Sequence, residues 1–216
     1  MKLRTDFLES LNLSLSPSQL EALRCYAALV WLKKDDLNLT SVESEQEIWD
    51  RHITDGLFAA SLIKALSAGK KTYSLADYGA GCGYIGLSAK IALGEACDLT
   101  LVETLGKRCL FMEWCIMKLG LKGARTLNVR AGASGGKAGP FDFTLERAMG
   151  KINDILPLCC ADLKNGGFFT AFQTEDREWS EEVLKVCSCS YERNLSREYK
   201  LFGEDKTRRL SVFKKI

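Results

Sequence analysis

The sequence predicts an α/β fold, in which a Rossmann-like, mostly parallel sheet of seven strands carries helices on both faces and follows a helical extension. After residue 71, short apolar runs alternate with helical patterns, and a glycine run follows the first of these strands. Strand–helix alternation implies right-handed crossovers and therefore a parallel sheet. Because the first 70 residues show helical patterns alone, we divide the chain into a helical extension, residues 1–70, and an α/β domain, residues 71–216.

Two capping boxes predict where the helices of the extension begin. Ser16 and Gln19 form the first box, and apolar residues recur at the helical period from there to residue 32. Ser44 and Glu47 form the second box, after which the same spacing continues to Gly69. We therefore expect two helices separated by a short loop.

The α/β domain contains seven predicted strands and four predicted helices. The strands are expected at residues 73–78, 98–102, 125–129, 141–145, 168–172, 191–201 and 208–214. The helices are expected from about residue 85, and at residues 106–119, 152–163 and 178–186. Since no helix separates the last two strands, we expect these two to pair antiparallel.

Composition limits the class of protein. With 46% hydrophobic and 27% charged residues, the chain has the make-up of a soluble globular protein. Its longest apolar run is too short to cross a bilayer, and its charged beginning is unlike a signal peptide. We therefore expect a cytosolic protein with no membrane partner.

Nine cysteines and a single histidine argue against both a disulfide framework and a zinc site. The two close cysteine pairs, Cys159-Cys160 and Cys187-x-Cys189, lack the usual zinc-ligand spacing. We therefore expect no bound metal and interpret most of these thiols as small buried hydrophobic side chains.

The glycine run after the first strand predicts a nucleotide site and admits two cofactor classes. Gly81-x-Gly83-x-x-Gly86 matches the dinucleotide fingerprint, in which a pyrophosphate lies on the helix N-terminus. Asp77-x-Gly79-x-Gly81-x-Gly83, with an acid two residues before the glycines, is typical of S-adenosylmethionine-dependent methyltransferases. A carboxylate suits a ligand with an amino group and a sulfonium but repels a pyrophosphate. We favour S-adenosylmethionine, with Asp77 on its amino-acid side.

Glu103 is the second candidate for binding the cofactor. It ends the next predicted strand, one helix and one strand after the glycine run. The carboxyl ends of parallel strands meet at one edge of the sheet, where α/β proteins bind ligands. Its carboxylate can accept hydrogen bonds from two ribose hydroxyls, which suits either cofactor class.

Several longer motifs identify a family that the chain resembles. They are Asn38-Leu-Thr-Ser-Val42, Arg51-His52-Ile-Thr-Asp55, Asp77-Tyr-Gly-Ala-Gly-Cys-Gly83, Leu105-Gly106-Lys107-Arg108, Pro140-Phe-Asp142 with Glu146-Arg147-Ala148, and Arg208-Arg-Leu-Ser-Val-Phe-Lys214. Together they resemble the bacterial RsmG family, also called glucose-inhibited division protein B. Its members are guanine-N7 methyltransferases of small-subunit ribosomal RNA. The resemblance covers almost the whole chain.

The resemblance implies a class I methyltransferase fold and methyl transfer from S-adenosylmethionine to a guanine N7 of 16S ribosomal RNA. It also implies residues that line the cofactor pocket or its mouth: Gly79, Tyr84, Glu103, Thr104, Ala131, Gly132 and Arg147. Three positions depart from the family pattern. Ile85 lies where the family usually has proline, Gly132 where it has an acid, and Gln173 where it has a lysine.

The reaction needs no general base, because guanine N7 presents a lone pair and carries no proton. We therefore predict no catalytic acid or base, and expect the protein to align the reacting atoms and exclude water. Arg51 and Asp55 are one helical turn apart and are expected to pair on one face. Together with His52 they either dock the extension on the sheet or contact the substrate, and the sequence leaves both roles open.

Basic residues are the candidates for contact with the RNA or with the small ribosomal subunit. From residue 193 to the end of the chain there are eight bases and three acids, which taken alone is better explained by a solvated strand face than by a polyanionic partner. The candidate RNA-contact residues are Arg51, His52, Lys107, Arg108, Arg147, Arg208 and Arg209.

Three other functions stay open at this point. One is a nicotinamide-dependent oxidoreductase that uses the glycines of residues 81–86. The second is an RNA-binding module that keeps the fold without catalysing transfer. The third is a methyltransferase that acts on a small molecule.

Overall fold

The computed structural model describes residues 6–39, 41–67, 69–132, 138–174 and 179–216. Within these residues, one eight-stranded sheet has the order β3-β2-β1-β4-β5-β8-β6, and β7 also pairs with β8. The strands are β1 Tyr73–Tyr78, β2 Cys97–Val102, β3 Ala124–Leu127, β4 Phe141–Arg147, β5 Leu163–Gln173, β6 Cys189–Tyr191, β7 Arg197–Lys200 and β8 Thr207–Lys215. Strands β1 to β5 are mutually parallel, and β8 is antiparallel to its three neighbours.

The expected strand at residues 191–201 is wrong, because that segment forms two strands rather than one. Strands β6 and β7 pair with opposite ends of β8, along the edge that β5 leaves free. Between them, the backbone N–H groups of Leu195 and Ser196 donate to the carbonyl oxygen of Glu192 and form a turn. These local bonds replace the ladder to β8, which is why the sheet has eight strands rather than seven.

The helices follow the expected order. They are α1 Pro17–Lys33, α2 Glu45–Glu47, α3 Thr54–Leu66, α4 Tyr84–Leu93, α5 Gly106–Lys118, α6 Ile152–Cys160 and α7 Glu181–Val186, with a π-helical segment Ile48–Ile53 between α2 and α3. Two ends differ from expectation: Leu163 belongs to β5 rather than α6, and the expected start of α7 at residue 178 lies outside the described residues. Within the described part of the chain, no helix combines the length and apolar character needed to cross a bilayer.

The capping box that the sequence predicts for α1 is confirmed. The Gln19 N–H donates to Ser16 Oγ at 3.2 Å, and the Ser16 N–H donates to Gln19 Oε1 at 2.9 Å. The same Gln19 amide also donates to the carbonyl oxygens of Ile91 and Ala92, at 2.8 and 2.9 Å. The Gln19 side chain therefore both caps the start of α1 and attaches α1 to the last turn of α4.

The extension and the sheet share one apolar core. Trp49 and Tyr26 of the extension are fully buried in the same cluster as Leu75 and Leu101 of the sheet. The Tyr26 hydroxyl donates to the carbonyl oxygen of Cys82 at 2.8 Å, which ties α1 to the glycine loop. Because one core spans both segments, the division into a helical extension, residues 1–70, and an α/β domain, residues 71–216, stays a prediction from the sequence.

Helices α3 and α4 cross closely because position 56 is glycine. A Cβ added at Gly56 would lie 2.5 Å from Ser88 Cβ and 2.9 Å from the Ile85 carbonyl oxygen. Backbone atoms cannot yield as a flexible side chain does, so the crossing tolerates no side chain here. This contact fixes the extension against the helix that follows the glycine loop.

We predict that Gly56→Ala lowers the free energy of unfolding by about 1–3 kcal/mol, since it overpacks this crossing. The matched control is Gly106→Ala, where the added Cβ would lie at an ordinary contact distance of 3.6 Å from its nearest neighbour, Asn128 Oδ1. Urea titration of both variants measures the difference, and equal stability of the two would contradict the packing argument.

Candidate functional site

The carboxyl ends of β1, β2 and β4 enclose a cleft of about 750 Å³. Parallel sheets bind ligands at this edge, and the volume is typical of a small-molecule site. Six residues singled out in the sequence line the cleft: Gly79, Glu103, Thr104, Arg108, Ala131 and Arg147. Sequence reasoning missed Asn128, Arg130 and Met149, which also line it. Their positions just after β3 and β4, at the carboxyl edge of the sheet, could have identified them from the sequence.

The glycine loop owes its shape to backbone angles that favour glycine. Gly79, Gly81 and Gly83 have φ angles of 62°, 61° and 83°. A Cβ at Gly83, which begins α4, would lie 2.7 Å from Leu87 Cδ1, whereas one at Gly81 would meet nothing closer than 3.9 Å. Gly83 therefore serves packing, and the space beside Gly81 is open to a ligand.

Asp77 lies behind this loop rather than in the cleft. Its side chain is buried, and Oδ2 accepts a hydrogen bond from the Gly86 N–H at 2.8 Å. Burial raises the pKa of Asp77 to about 7, although the Gly86 N–H and the charge of Arg147 oppose the rise. The bond holds the first turn of α4 against β1. Contact between Asp77 and the amino-acid end of a cofactor stays a prediction.

Glu103 directly follows β2, with its carboxylate between the glycine loop and the cleft. Oε2 accepts from the Gly81 N–H at 2.9 Å, and Oε1 accepts from the N–H groups of Thr104 and Leu105 at 2.8 and 2.9 Å. Asn128 Nδ2 donates to the carbonyl oxygens of Glu103 and Thr104, both at 2.9 Å. These bonds fix the carboxylate in a single orientation before any ligand binds.

Two positions that depart from the family pattern, Gly132 and Gln173, lie in close-packed surroundings. A Cβ at Gly132 would lie 2.6 Å from Leu158 Cδ2, and its φ of 79° disfavours other residues. A larger residue at position 132 would therefore need the Leu158 side chain to shift and would be strained at this backbone angle. Gln173 is buried at the end of β5 and accepts a hydrogen bond from the Ser211 hydroxyl.

The expected pairing of Arg51 with Asp55 is wrong. Asp55 is fully buried and accepts from Arg147 Nη1 at 2.8 Å, Arg208 Nη1 at 3.2 Å and the Tyr199 hydroxyl at 2.5 Å. Arg51 instead pairs with Glu204 at 3.1 Å. Arg51 lies in the π-helical segment, where backbone bonds span five residues, so a four-residue spacing no longer aligns side chains. Asp55 thereby joins the extension to the ends of β4, β7 and β8.

His52 packs beside this cluster. Its ring stacks on Tyr84 with centroids 4.1 Å apart, and Arg147 Nη1 lies 3.3 Å from its Nδ1. Burial, and then the charges of Arg147, Arg51 and Arg208, lower the pKa of His52 to about 2. A neutral ring with so low a pKa anchors the extension and is a weak base. Its contact with RNA stays a prediction.

The candidate cations fall into two groups. Arg208 is held by Asp55 and by Glu204, the latter at 2.9 Å, and Arg209 pairs with Glu198. Arg108 and Arg130 line the cleft, with Arg108 3.8 Å from Glu103, and Lys107 is exposed beside Arg108 at the start of α5. The geometry favours the second group for contact with an anionic ligand, and the role of Arg208 and Arg209 toward RNA stays a prediction.

Known proteins similar to this chain are methyltransferases. The family model GidB, described as rRNA small subunit methyltransferase G, matches residues 19–206. "Ribosomal RNA small subunit methyltransferase G" from Lachnoclostridium phytofermentans is 30% identical over 97% of this chain and 86% of its own length. The protein of that name from Desulfitobacterium hafniense is 33% identical over 82% of this chain and 71% of its own.

Solved structures with a similar fold are more distant in sequence. Magnesium protoporphyrin IX methyltransferase from Synechocystis, solved with bound SAM, gives a TM-score of 0.61 at 9% identity, covering 93% of this chain and 99% of its own. TrmN from Thermus thermophilus gives 0.58 at 18% identity, covering 78% of this chain and 53% of its own. These likenesses show that the expected class I methyltransferase fold is correct.

We predict that Asp55→Asn lowers the free energy of unfolding by about 1.5–3 kcal/mol, because it removes the buried counter-charge that two partly buried guanidinium groups share. The matched control is Glu198→Gln, which removes the partly exposed partner of Arg209. It should cost less than about 1 kcal/mol. Chemical denaturation measures the loss of unfolding free energy in both variants. Similar losses would show that Asp55 contributes no more to stability than the exposed Glu198 does.

We predict that Asp77 makes stability fall as pH rises. Since its pKa is about 7 when folded and 3.8 ordinarily, the folded state holds the proton to higher pH. Its contribution is complete below the ordinary pKa and is lost, by roughly 4 kcal/mol, as pH rises through 7. Asp77→Asn has no such proton, so its stability relative to the parent should increase over this range. Urea titrations across the range measure that difference, and a constant difference would refute the assignment.

Proposed function

This chain belongs to the GidB family of small-subunit ribosomal RNA methyltransferases G, and on that premise we propose that it transfers a methyl group from S-adenosylmethionine to a guanine N7 of 16S ribosomal RNA. The observation that carries the proposal is the placement of Glu103 and the glycine loop on one cleft at the carboxyl edge of the sheet. The relatives reported above lend no support to a nicotinamide-dependent oxidoreductase or to a non-catalytic module.

The cleft fits the proposed cofactor in size and in chemistry. Its volume of about 750 Å³ accommodates a nucleoside with a short side chain. Glu103 would accept the ribose hydroxyls, since Oε2 accepts one N–H and keeps a lone pair free. Thr104 and Ala131 line the same wall. When bound there, S-adenosylmethionine supplies a methyl group on a positively charged sulfur.

The residues of the chain would then position the reactants and would not transfer a proton. Guanine N7 carries no proton, so no general base is needed to remove one from the reacting atom. The low pKa of His52 agrees with this requirement. Arg147, held by Asp55 at the mouth of the cleft, is placed to orient the base or its phosphate. Met149 and Ile155 form an apolar wall that would exclude water.

Lys107, Arg108 and Arg130 would bind RNA phosphates around the cleft. Arg108 at the start of α5 and Arg130 after β3 line the cleft from two sides, and Lys107 is the exposed neighbour of Arg108. Cations at a helix N-terminus oppose the helix dipole, and a bound phosphate offsets that cost. Arg51, His52, Arg208 and Arg209 contribute mainly by holding the extension and the last strands in place.

We predict that labelled S-adenosylmethionine transfers its methyl group to unmodified 16S RNA or to the small subunit, and that mass mapping finds the label as 7-methylguanosine. Glu103→Gln should weaken cofactor binding by roughly 10-fold or more, because it removes a charged acceptor. Glu95→Gln, which removes an exposed carboxylate 3.8 Å from Lys122, is the matched control. Label at another atom, or none on either substrate, would overturn the proposal.

We predict that Lys107→Gln weakens binding to 16S RNA and reduces the slope of log affinity against log salt by about 0.7–0.9, the value for one phosphate contact. Lys122→Gln is the matched control, because Lys122 is exposed near the amino end of β3, at the opposite edge of the sheet. Fluorescence titration over a salt series measures both slopes. An equal change in the two variants would exclude a specific role for Lys107.

A further inference from the structure

Two cysteine pairs that are distant in sequence meet beneath the far edge of the sheet. Cys160 is the last residue of α6 and Cys189 the first of β6, and their sulfur atoms are 3.3 Å apart. Cys187 lies beside them, since its carbonyl oxygen is 3.4 Å from Cys189 Sγ. All three side chains are buried, and no group of metal ligands is found among the residues the structure describes.

The surroundings of this thiol cluster differ from one sulfur to the next. A hydrogen bond from Cys160, and then the charge of Lys215, lower the pKa of Cys189, although burial opposes them. The same hydrogen bond, and then burial, raise the pKa of Cys160. The Lys215 ammonium is fixed there by the carbonyl oxygens of Cys160 and Leu163, at 2.6 and 2.8 Å. One sulfur is therefore disposed to act as a thiolate beside a neighbour that keeps its proton.

We propose that Cys160 and Cys189 form a reversible disulfide when the protein meets hydrogen peroxide. The Cys189 thiolate attacks one peroxide oxygen, the O–O bond breaks, and the departing hydroxide takes a proton to become water, leaving a sulfenic acid. Cys160 sulfur then attacks Cys189 sulfur, the S–O bond breaks, and hydroxide leaves with the Cys160 proton as a second water. In total, two thiols and one peroxide give one disulfide and two waters. A dithiol reductant reverses the step.

The proposed link would connect a helix that lines the cleft to the edge of the sheet. Ile155 and Leu158 of α6 contact the cleft, and Cys160 ends the same helix. The disulfide would close a loop between positions 29 apart in sequence. Closing such a loop restricts the unfolded chain and stabilises the folded one. The thiols, Lys215 and their contacts lie outside the residues that line the cleft, so the disulfide is independent of the methyl-transfer activity.

The test treats the reduced full-length protein with hydrogen peroxide, blocks free thiols by alkylation, and maps peptides by mass spectrometry. We expect one peptide pair linked through Cys160 and Cys189, and a melting temperature that rises on oxidation and returns with dithiothreitol. Cys25→Ser, which removes an exposed thiol, should leave both results unchanged.

Cys160→Ser should remove the linked peptide pair and leave a sulfenic acid on Cys189 that a dimedone probe captures. The map of the unsubstituted protein decides the question even if this variant folds poorly. Oxidation confined to Cys25, or a link that uses neither Cys160 nor Cys189, would overturn the proposal.

Discussion

The buried carboxylate of Asp55 is the interaction on which the arrangement of this molecule depends. It accepts hydrogen bonds from two guanidinium groups and one phenol, which come from three different strands. A carboxylate without access to water is stable only when it is paired and hydrogen-bonded, so its partners must all be in place together. The helical extension, the end of β4 and the last two strands are therefore positioned by a single charge.

This constraint reaches the cleft through Arg147. The guanidinium lines the cleft, pairs with Asp55 and touches His52, whose ring in turn stacks on Tyr84 at the start of α4. The extension thus supports one wall of the site through its contacts with Arg147. On the opposite side, Glu103 is fixed by backbone N–H groups and Asn128, so both walls are organised before a ligand arrives.

The regular elements could be predicted because their causes are local. A capping box of four residues fixes the start of α1, and short apolar runs mark the parallel strands. The π-helical segment and the interruption between β6 and β7 escaped prediction. The π-helical segment packs against α1 and α4, and the turn at Glu192 competes with pairing to β8. The local periodicity of the sequence reveals neither this packing nor this competition.

The sequence by itself determined the fold class, the glycine loop and the position of Glu103, because each follows from residues close together in the chain. The tertiary structure alone decided which charges meet. Asp55 and Arg208 are 153 positions apart, and Arg147 is 92 positions from Asp55. Such contacts depend on the order of strands in the sheet and on helix crossings like that at Gly56. Neither is encoded in the spacing of any motif.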